Sequence, residues 1–246
     1  MKLSRKFQKL LDSSLIGSAS EYAARLTHPV NTRRIFESFN KLEFERIRER
    51  SPYRPNPKRI RKFIKSIQDL WLDRSAPLSI LDLGCGAGYF AYICKLFGHD
   101  AMGLDMDEEP LYRETLQLLN VKRVVSRIEA QTPLPDLGQR FDLVTATRVC
   151  FQFKRWPEKA NRQEWSCEDW RFFINDIRTR FLKPHGRLFL QFNPRPDDSP
   201  FITPELRECF LGEGGLILRS KLLFAADPRE RPHFKQTGSK NSEVLN

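Results

Sequence analysis

The segment that most restricts how this chain can fold is Leu78-Ser79-Ile80-Leu81-Asp82-Leu83-Gly84, followed at once by Cys85-Gly86-Ala87-Gly88. A short apolar run bounded by turn residues reads as a buried strand. Three glycines at alternate positions then permit a tight turn with positive φ and let a backbone approach a ligand closely. Beyond them, Phe90, Ile93, Cys94 and Phe97 recur at helical spacing. A strand, a glycine turn and a helix in this order open a parallel sheet, and in such sheets ligands bind at the carboxyl ends of the strands.

The alternation continues. Strands are expected at 100–105, 123–128, 141–147, 187–193 and 216–225, with a further one at 233–237. Helices are expected at 110–119, 167–182 and 204–211, and the polar tail 238–246 is expected to fray. This pattern specifies an α/β fold whose mostly parallel sheet is covered on both faces, with right-handed crossovers.

Ahead of the sheet the composition differs. Residues 1–76 carry 18 Lys/Arg against 8 Asp/Glu, a net charge of +10, whereas 77–246 carry 24 against 23. Helical spacing is expected over 3–16, 31–50 and 57–72, with the prolines of Ser51–Pro57 ending the second helix. The chain divides into a basic helical extension or cap, 1–76, and a body, 77–237. A basic extension can meet nucleic acid, anionic lipid or an acidic substrate, or can be a solvated helical face. The helix 3–16 can lie on a membrane surface or dock on the body.

At 246 residues the chain is long enough for a proper core. No apolar run approaches the ~18 residues of a spanning helix. Gln8, Lys9 and Asp12 break the apolar stretch that a secretory leader would need. The five cysteines include no C-x-x-C pair, so no disulfide framework and no structural metal site are expected, and a cytoplasmic location fits.

Asp105 closes the second strand, 21 residues after Gly84. An acid there can accept both hydroxyls of a ribose. A dinucleotide site would want Gly or Ala at position 89, which is Tyr. The run Asp82-x-Gly84-x-Gly86-x-Gly88 instead resembles the first motif of class I S-adenosylmethionine-dependent methyltransferases. The resemblance extends through Gly103-Leu104-Asp105, Phe141-Asp142-Leu143-Val144 and Leu182-Lys183-Pro184-His185-Gly186-Arg187-Leu188, over about 78–225.

That resemblance implies a Rossmann-like seven-stranded sheet and S-adenosyl-L-methionine as cofactor. Gly84, Cys85, Gly86 and Gly88 would line its methionine part, and Asp82 would help hold its ammonium. Asp105 would take the ribose hydroxyls, with Met106 on the adenine and Ile128 and Glu129 bordering the ring. Family members often carry Asp near that last position, where this chain has Arg127-Ile128-Glu129. Thr145 to Arg148 would face the reactive methyl.

Methyl transfer to oxygen or nitrogen is an in-line displacement that gains much from alignment, and the acceptor must also lose a proton. The candidates for acceptor chemistry are Arg148, Asn193 and His28. Arg148 follows the fourth strand and can either pair an acidic or phosphate-bearing acceptor or form a surface ion pair. Asn193, with Asp197 and Asp198, follows the fifth. His28 reaches the site if the extension forms a lid. His99 and His185 lie at the opposite edge and read as surface or turn residues. The aromatic segment 149–170 reads as an acceptor wall or as core under a loop. Two functional readings follow: methyl transfer to a small-molecule or glycan acceptor beneath a helical cap, and RNA methylation with the basic extension on phosphates.

Overall fold

The structure is a computed structural model and describes residues 35, 37–38, 57–148, 151, 164–193, 200–218 and 220–230. The expected helices 3–16 and most of 31–50, the strand 233–237, the tail, and the residues His28, Cys150, Asp197 and Asp198 lie outside them.

Seven strands form one sheet: β1 (Ser79–Leu83), β2 (Asp100–Asp105), β3 (Arg123–Val125), β4 (Phe141–Thr147), β5 (Leu182–Gln191), β6 (Leu216–Leu218) and β7 (Lys221–Ala225). Their order is β3-β2-β1-β4-β5-β7-β6. The pairings from β3 through β5 are parallel, and β7 runs antiparallel to both its neighbours. The chain order reverses at β1, with β2 on one side and β4 on the other. This is the topological switch point at which α/β sheets open a ligand crevice.

Side-chain alternation, with its period of two, divides the sheet between two apolar cores. Ile80, Leu143, Phe189 and Leu223 face α1 (Pro57–Asp69), α2 (Tyr89–Leu96) and α3 (Pro110–Leu118). Leu81, Val144, Leu188, Leu190 and Phe224 face α4 (Cys167–Asp176) and α5 (Pro204–Gly212). The helix starts are set locally. Ser166 and Asp169 form a reciprocal capping box on α4. Thr203 caps α5, with Pro204 in the first turn.

Several sequence expectations are corrected. The run 216–225 is two strands, β6 and β7, because the polar pair Arg219-Ser220 separates Leu216-Ile217-Leu218 from Leu222-Leu223-Phe224 and the two apolar stretches pair back on each other. The seventh strand is therefore supplied without 233–237. The helix expected over 167–182 is α4 followed by a π-helical turn, Ile177–Phe181. Strand β3 stops at Val125 rather than 128. Strand β5 begins at Leu182, with a register shift opposite Phe141/Leu143 that takes up the Pro184-His185-Gly186 turn. Gly186 is required there, since a Cβ would lie 2.9 Å from both the Lys183 and Phe141 carbonyls.

His99 is not a surface residue. It is buried. Its Nδ1 accepts from the Leu78 amide at 3.1 Å, which leaves the ring proton on Nε2, 2.7 Å from the Leu72 carbonyl. The imidazole thus ties the end of the α1 segment to the entry of β1. His185 is exposed, on the bulge, with Glu230 at 3.1 Å.

The expectation of no disulfide is also overturned, by one bridge. Cys167 and Cys209 are bonded, with Cα atoms 5.8 Å apart and a sequence separation of 42. The bridge joins the first turn of α4 to α5. Cysteine spacing did not reveal it because the pairing arises from helix packing. Cys85 and Cys94 are free and buried.

Helix α1, which the charge count groups with the extension, is packed into the body. Ile60, Ile64 and Ile67 are buried beside Phe90 and Ile93, and Ile35 joins the same cluster. Asp69 receives Lys221 Nζ at 2.6 Å, linking α1 to β7.

Candidate functional site

The glycine turn leaves β1 at the switch point. Gly84, Gly86 and Gly88 have φ of 65°, 53° and 76°, in the left-handed region that side chains with a Cβ rarely adopt. Space matters as well. A Cβ on Gly88 would sit 2.4 Å from Leu116 Cδ2, so the turn is pressed onto α3. The Gly84 amide donates to the Leu104 carbonyl at 2.7 Å, and the Gly88 amide to the Cys85 carbonyl at 2.9 Å. Cys85 is buried beneath Gly103, where a Cβ would lie 2.3 Å from its Sγ. Its role is packing, and burial pushes its thiol well above the ordinary range.

Asp105 is joined to this turn directly. Its Oδ2 accepts from the Gly86 amide at 2.5 Å and its Oδ1 from the Met106 amide at 2.7 Å. A carboxylate has about four lone-pair positions. Two backbone donors therefore orient both oxygens and leave capacity for two further donors, which is what a ribose diol presents. Burial raises the Asp105 pKa, against the opposing pull of the two amides and of Arg123.

Arg123 is a member of the site that the sequence reading missed. It donates to the Met106 carbonyl at 3.1 Å and forms an ion pair with Asp107. It thereby holds the turn after Asp105 in place. The available signal was a basic residue opening the third strand opposite the acidic turn Asp105-Met106-Asp107-Glu108. Past β3, Ile128 is buried in the core on the α4 side, while Glu129 is exposed, 3.9 Å from Arg127. The Ser126 amide donates to the Asp105 carbonyl at 3.0 Å, which fastens this segment beside the acid.

Asp82 and Thr145 are direct partners across the β1–β4 ladder. Asp82 is 2% exposed, and its Oδ1 accepts from the Thr145 hydroxyl at 2.9 Å. Burial pushes the Asp82 carboxyl up to about 7, with Thr145 drawing it down and the charge of Asp105 adding to the rise. Thr145 is itself fully buried, its hydroxyl turned to Asp82. A buried acid at the carboxyl end of β1, with a hydroxyl as its hydrogen-bond donor, suits a ligand that brings a cation.

Arg148 and Asn193 converge at the carboxyl ends of β4 and β5. Arg148 has φ 59°. Its amide donates to the Gln191 carbonyl at 2.7 Å, and its carbonyl accepts from Asn193 Nδ2 at 2.9 Å. The two candidates thus form one junction, with Asn193 holding the backbone and the Arg148 side chain exposed. Beneath it, Phe151 packs at 5.4 Å from Trp165 and 5.3 Å from Phe173, so the described aromatics of 149–170 are core.

Residues 56–199 match the family described as the methyltransferase domain. The chain belongs to that family. Among curated proteins, this methyltransferase-domain chain is similar to the ubiquinone biosynthesis O-methyltransferase of Pseudomonas putida (strain GB-1). The two are 31% identical over 112 residues, 44% of this chain and 42% of that protein. A protein of the same description from Pseudomonas syringae pv. tomato is 32% identical over 84 residues, 32% of this chain and 36% of its own. The chain therefore spans less than half the length of these relatives in the matched region. Among solved structures, the PH0226 protein of Pyrococcus horikoshii OT3 is 22% identical, covering 62% of this chain and 65% of that one, with a TM-score of 0.43. No described helix is long and apolar enough to cross a membrane.

Proposed function

We propose that this chain transfers a methyl group from S-adenosylmethionine to an oxygen of a small-molecule acceptor. The observation that carries the reading is the joint between Asp105 and the Gly86 amide, which sets a ribose-binding acid against a glycine turn. Gly84, Gly86 and Gly88 line the methionine part of the cofactor and Asp82 faces its ammonium. Asp105 takes the ribose hydroxyls, while Met106, Ile128 and Glu129 border the adenine. The cofactor supplies an electrophilic methyl on a sulfonium, which is a good leaving group.

The protein's part is alignment and proton handling. The acceptor enters at the ends of β4 and β5, where the Arg148–Asn193 junction stands. Placing its oxygen in line with the methyl accounts for several kcal/mol of barrier. With the methyl coming from the cofactor's sulfonium, the acceptor oxygen would have to give up its proton to a nearby base or to water. Oxygen is favoured over nitrogen by the similarity to ubiquinone biosynthesis O-methyltransferases. A glycan hydroxyl meets the same requirement.

The basic extension supplies the acceptor side. Because α1 is packed into the body and the family match starts at residue 56, the capping segment is drawn N-terminal to Pro57. The deciding experiment is transfer of a radiolabelled methyl group to cell fractions separated into small molecules, glycans, protein and RNA. Label in the small-molecule or glycan fraction supports this reading. Label confined to RNA would replace it with the nucleic-acid alternative.

A further inference from the structure

Asp82 sits where a carboxylate is hard to keep charged. It is on β1, an interior strand of the sheet, is 2% exposed, and accepts a hydrogen bond from the Thr145 hydroxyl. From β2 it is faced by a second acid, Asp105. From the glycine turn and α2 it is faced by Cys85 and Cys94, thiols that burial keeps neutral. Among the described residues, the basic group whose charge acts on Asp105 and Cys85 is Arg123 on β3, and it is engaged with Asp107 and the Met106 carbonyl. An ionised carboxylate this deep needs a paired cation or several donors to offset its lost hydration. Protonation removes that cost. A bound cation removes it as well, in the opposite protonation state.

We propose that Asp82 is protonated in the empty enzyme on the acid side of neutrality and releases its proton when cofactor is bound, so that cofactor capture is linked to pH through the Asp82–Thr145 pair. The inference rests on the cofactor reading above and goes beyond it. Thr145 is a positioning residue here. Its hydroxyl donates to the ionised acid, so it sets the pH at which Asp82 can give up its proton.

The expected size follows from linkage. With the empty-state carboxyl at about 7 and the bound state ionised throughout, affinity falls up to tenfold per pH unit below that point. Binding should then be roughly ten- to fiftyfold tighter at pH 7.5 than at pH 5.5.

The test is calorimetric titration of S-adenosylhomocysteine into the full chain from pH 5.5 to 8, in buffers of differing ionisation heat. The proposal expects close to one proton released per site at the acid end, fading above pH 7.5. Asp82→Asn should abolish both the release and the acid-side loss of affinity. Thr145→Val should move the midpoint upward and Thr145→Ser should restore it, which a purely structural threonine would not do. If Asp82→Asn does not fold, the proton count of the wild type and the shift in Thr145→Val still decide. Tight binding with no proton release and a flat affinity overturns the proposal while leaving the cofactor site intact. Absence of S-adenosylhomocysteine binding at every pH overturns both.

Discussion

The Gly86 amide donates to Asp105 Oδ2 at 2.5 Å, so the acid that closes β2 is part of the turn that closes β1. The two ends of the crevice are therefore not independent. A change at Asp105 alters the ribose contact and the glycine turn together. Asp105→Ala should weaken S-adenosylhomocysteine binding by roughly ten- to a hundredfold, since hydrogen bonds to a charged group contribute about 1.5–3 kcal/mol each. Asp105→Asn keeps one acceptor oxygen and should lose less. Equilibrium dialysis on both variants, with circular dichroism to verify folding, checks the order.

Asp142 is the contrasting acid, at the other edge of the sheet. Its Oδ2 accepts from the Ser79 amide at 2.8 Å, the Ser79 hydroxyl at 2.7 Å and Lys183 Nζ at 2.9 Å. Burial alone would raise its pKa, but these donors outweigh burial and hold it below the usual carboxylate range. A lowered folded pKa contributes stability that is present above the unfolded value and is lost as pH falls through the folded one. Asp142→Asn should therefore lower the melting temperature at neutral pH and spare cofactor affinity. The gap between wild type and variant should close as pH is taken below about 4. Melting curves at pH 3 to 7 test this.

The Cys167–Cys209 bridge ties α4 to α5. Closing a loop of this length restricts the unfolded chain and typically contributes about 2–4 kcal/mol. Mass spectrometry after alkylation without reductant should leave Cys167 and Cys209 unlabelled. Reduction, or Cys209→Ser, should lower the melting temperature by several degrees. Alkylation of both residues in the unreduced protein would remove the bridge from this account.

Gly103 carries no backbone strain, yet its place in the fold is dictated by space. A Cβ there would meet Cys85 Sγ at 2.3 Å and Cys85 Cβ at 2.7 Å. Gly103→Ala should push the glycine turn outward and weaken cofactor binding. Adding Cys85→Ala on the same chain should recover part of the loss, because it removes the Sγ at 2.3 Å while the Cβ at 2.7 Å stays. Four dissociation constants, for wild type, the two single variants and the double, form the cycle that checks it.

Much of this was legible in the sequence, and the reason is local. The buried strands 79–83, 100–105 and 141–147 are apolar runs with turn residues at both ends, and the glycine turn announces its own geometry. What escaped depends on residues distant in sequence. Asp82 and Thr145 meet because β1 and β4 pair in one register, 63 residues apart. His99 read as a surface or turn residue because it precedes the second strand, at the edge away from the ligand; only the packing of the α1 segment reveals the Leu72 carbonyl waiting for it. The hairpin at 216–225 was hidden because two short strands and one long strand share the same apolar composition.

The division between body and cap also has a direct check. Deleting residues 1–50 should leave cofactor binding in place and abolish methyl transfer, with some loss of stability because Ile35 shares a buried cluster with Ile60 and Ile64. A truncated chain that transfers methyl groups normally would contradict the assignment of the acceptor side to the extension.

The central claim is that the turn from Gly84 to Gly88, with Asp82 and Asp105, is a site for S-adenosylmethionine. Isothermal titration of the full chain with S-adenosylhomocysteine and, separately, with NAD tests it most directly. The account predicts one site for S-adenosylhomocysteine, weakened in Asp105→Ala, and no heat of binding for NAD. Saturable binding of NAD with none of S-adenosylhomocysteine would contradict it.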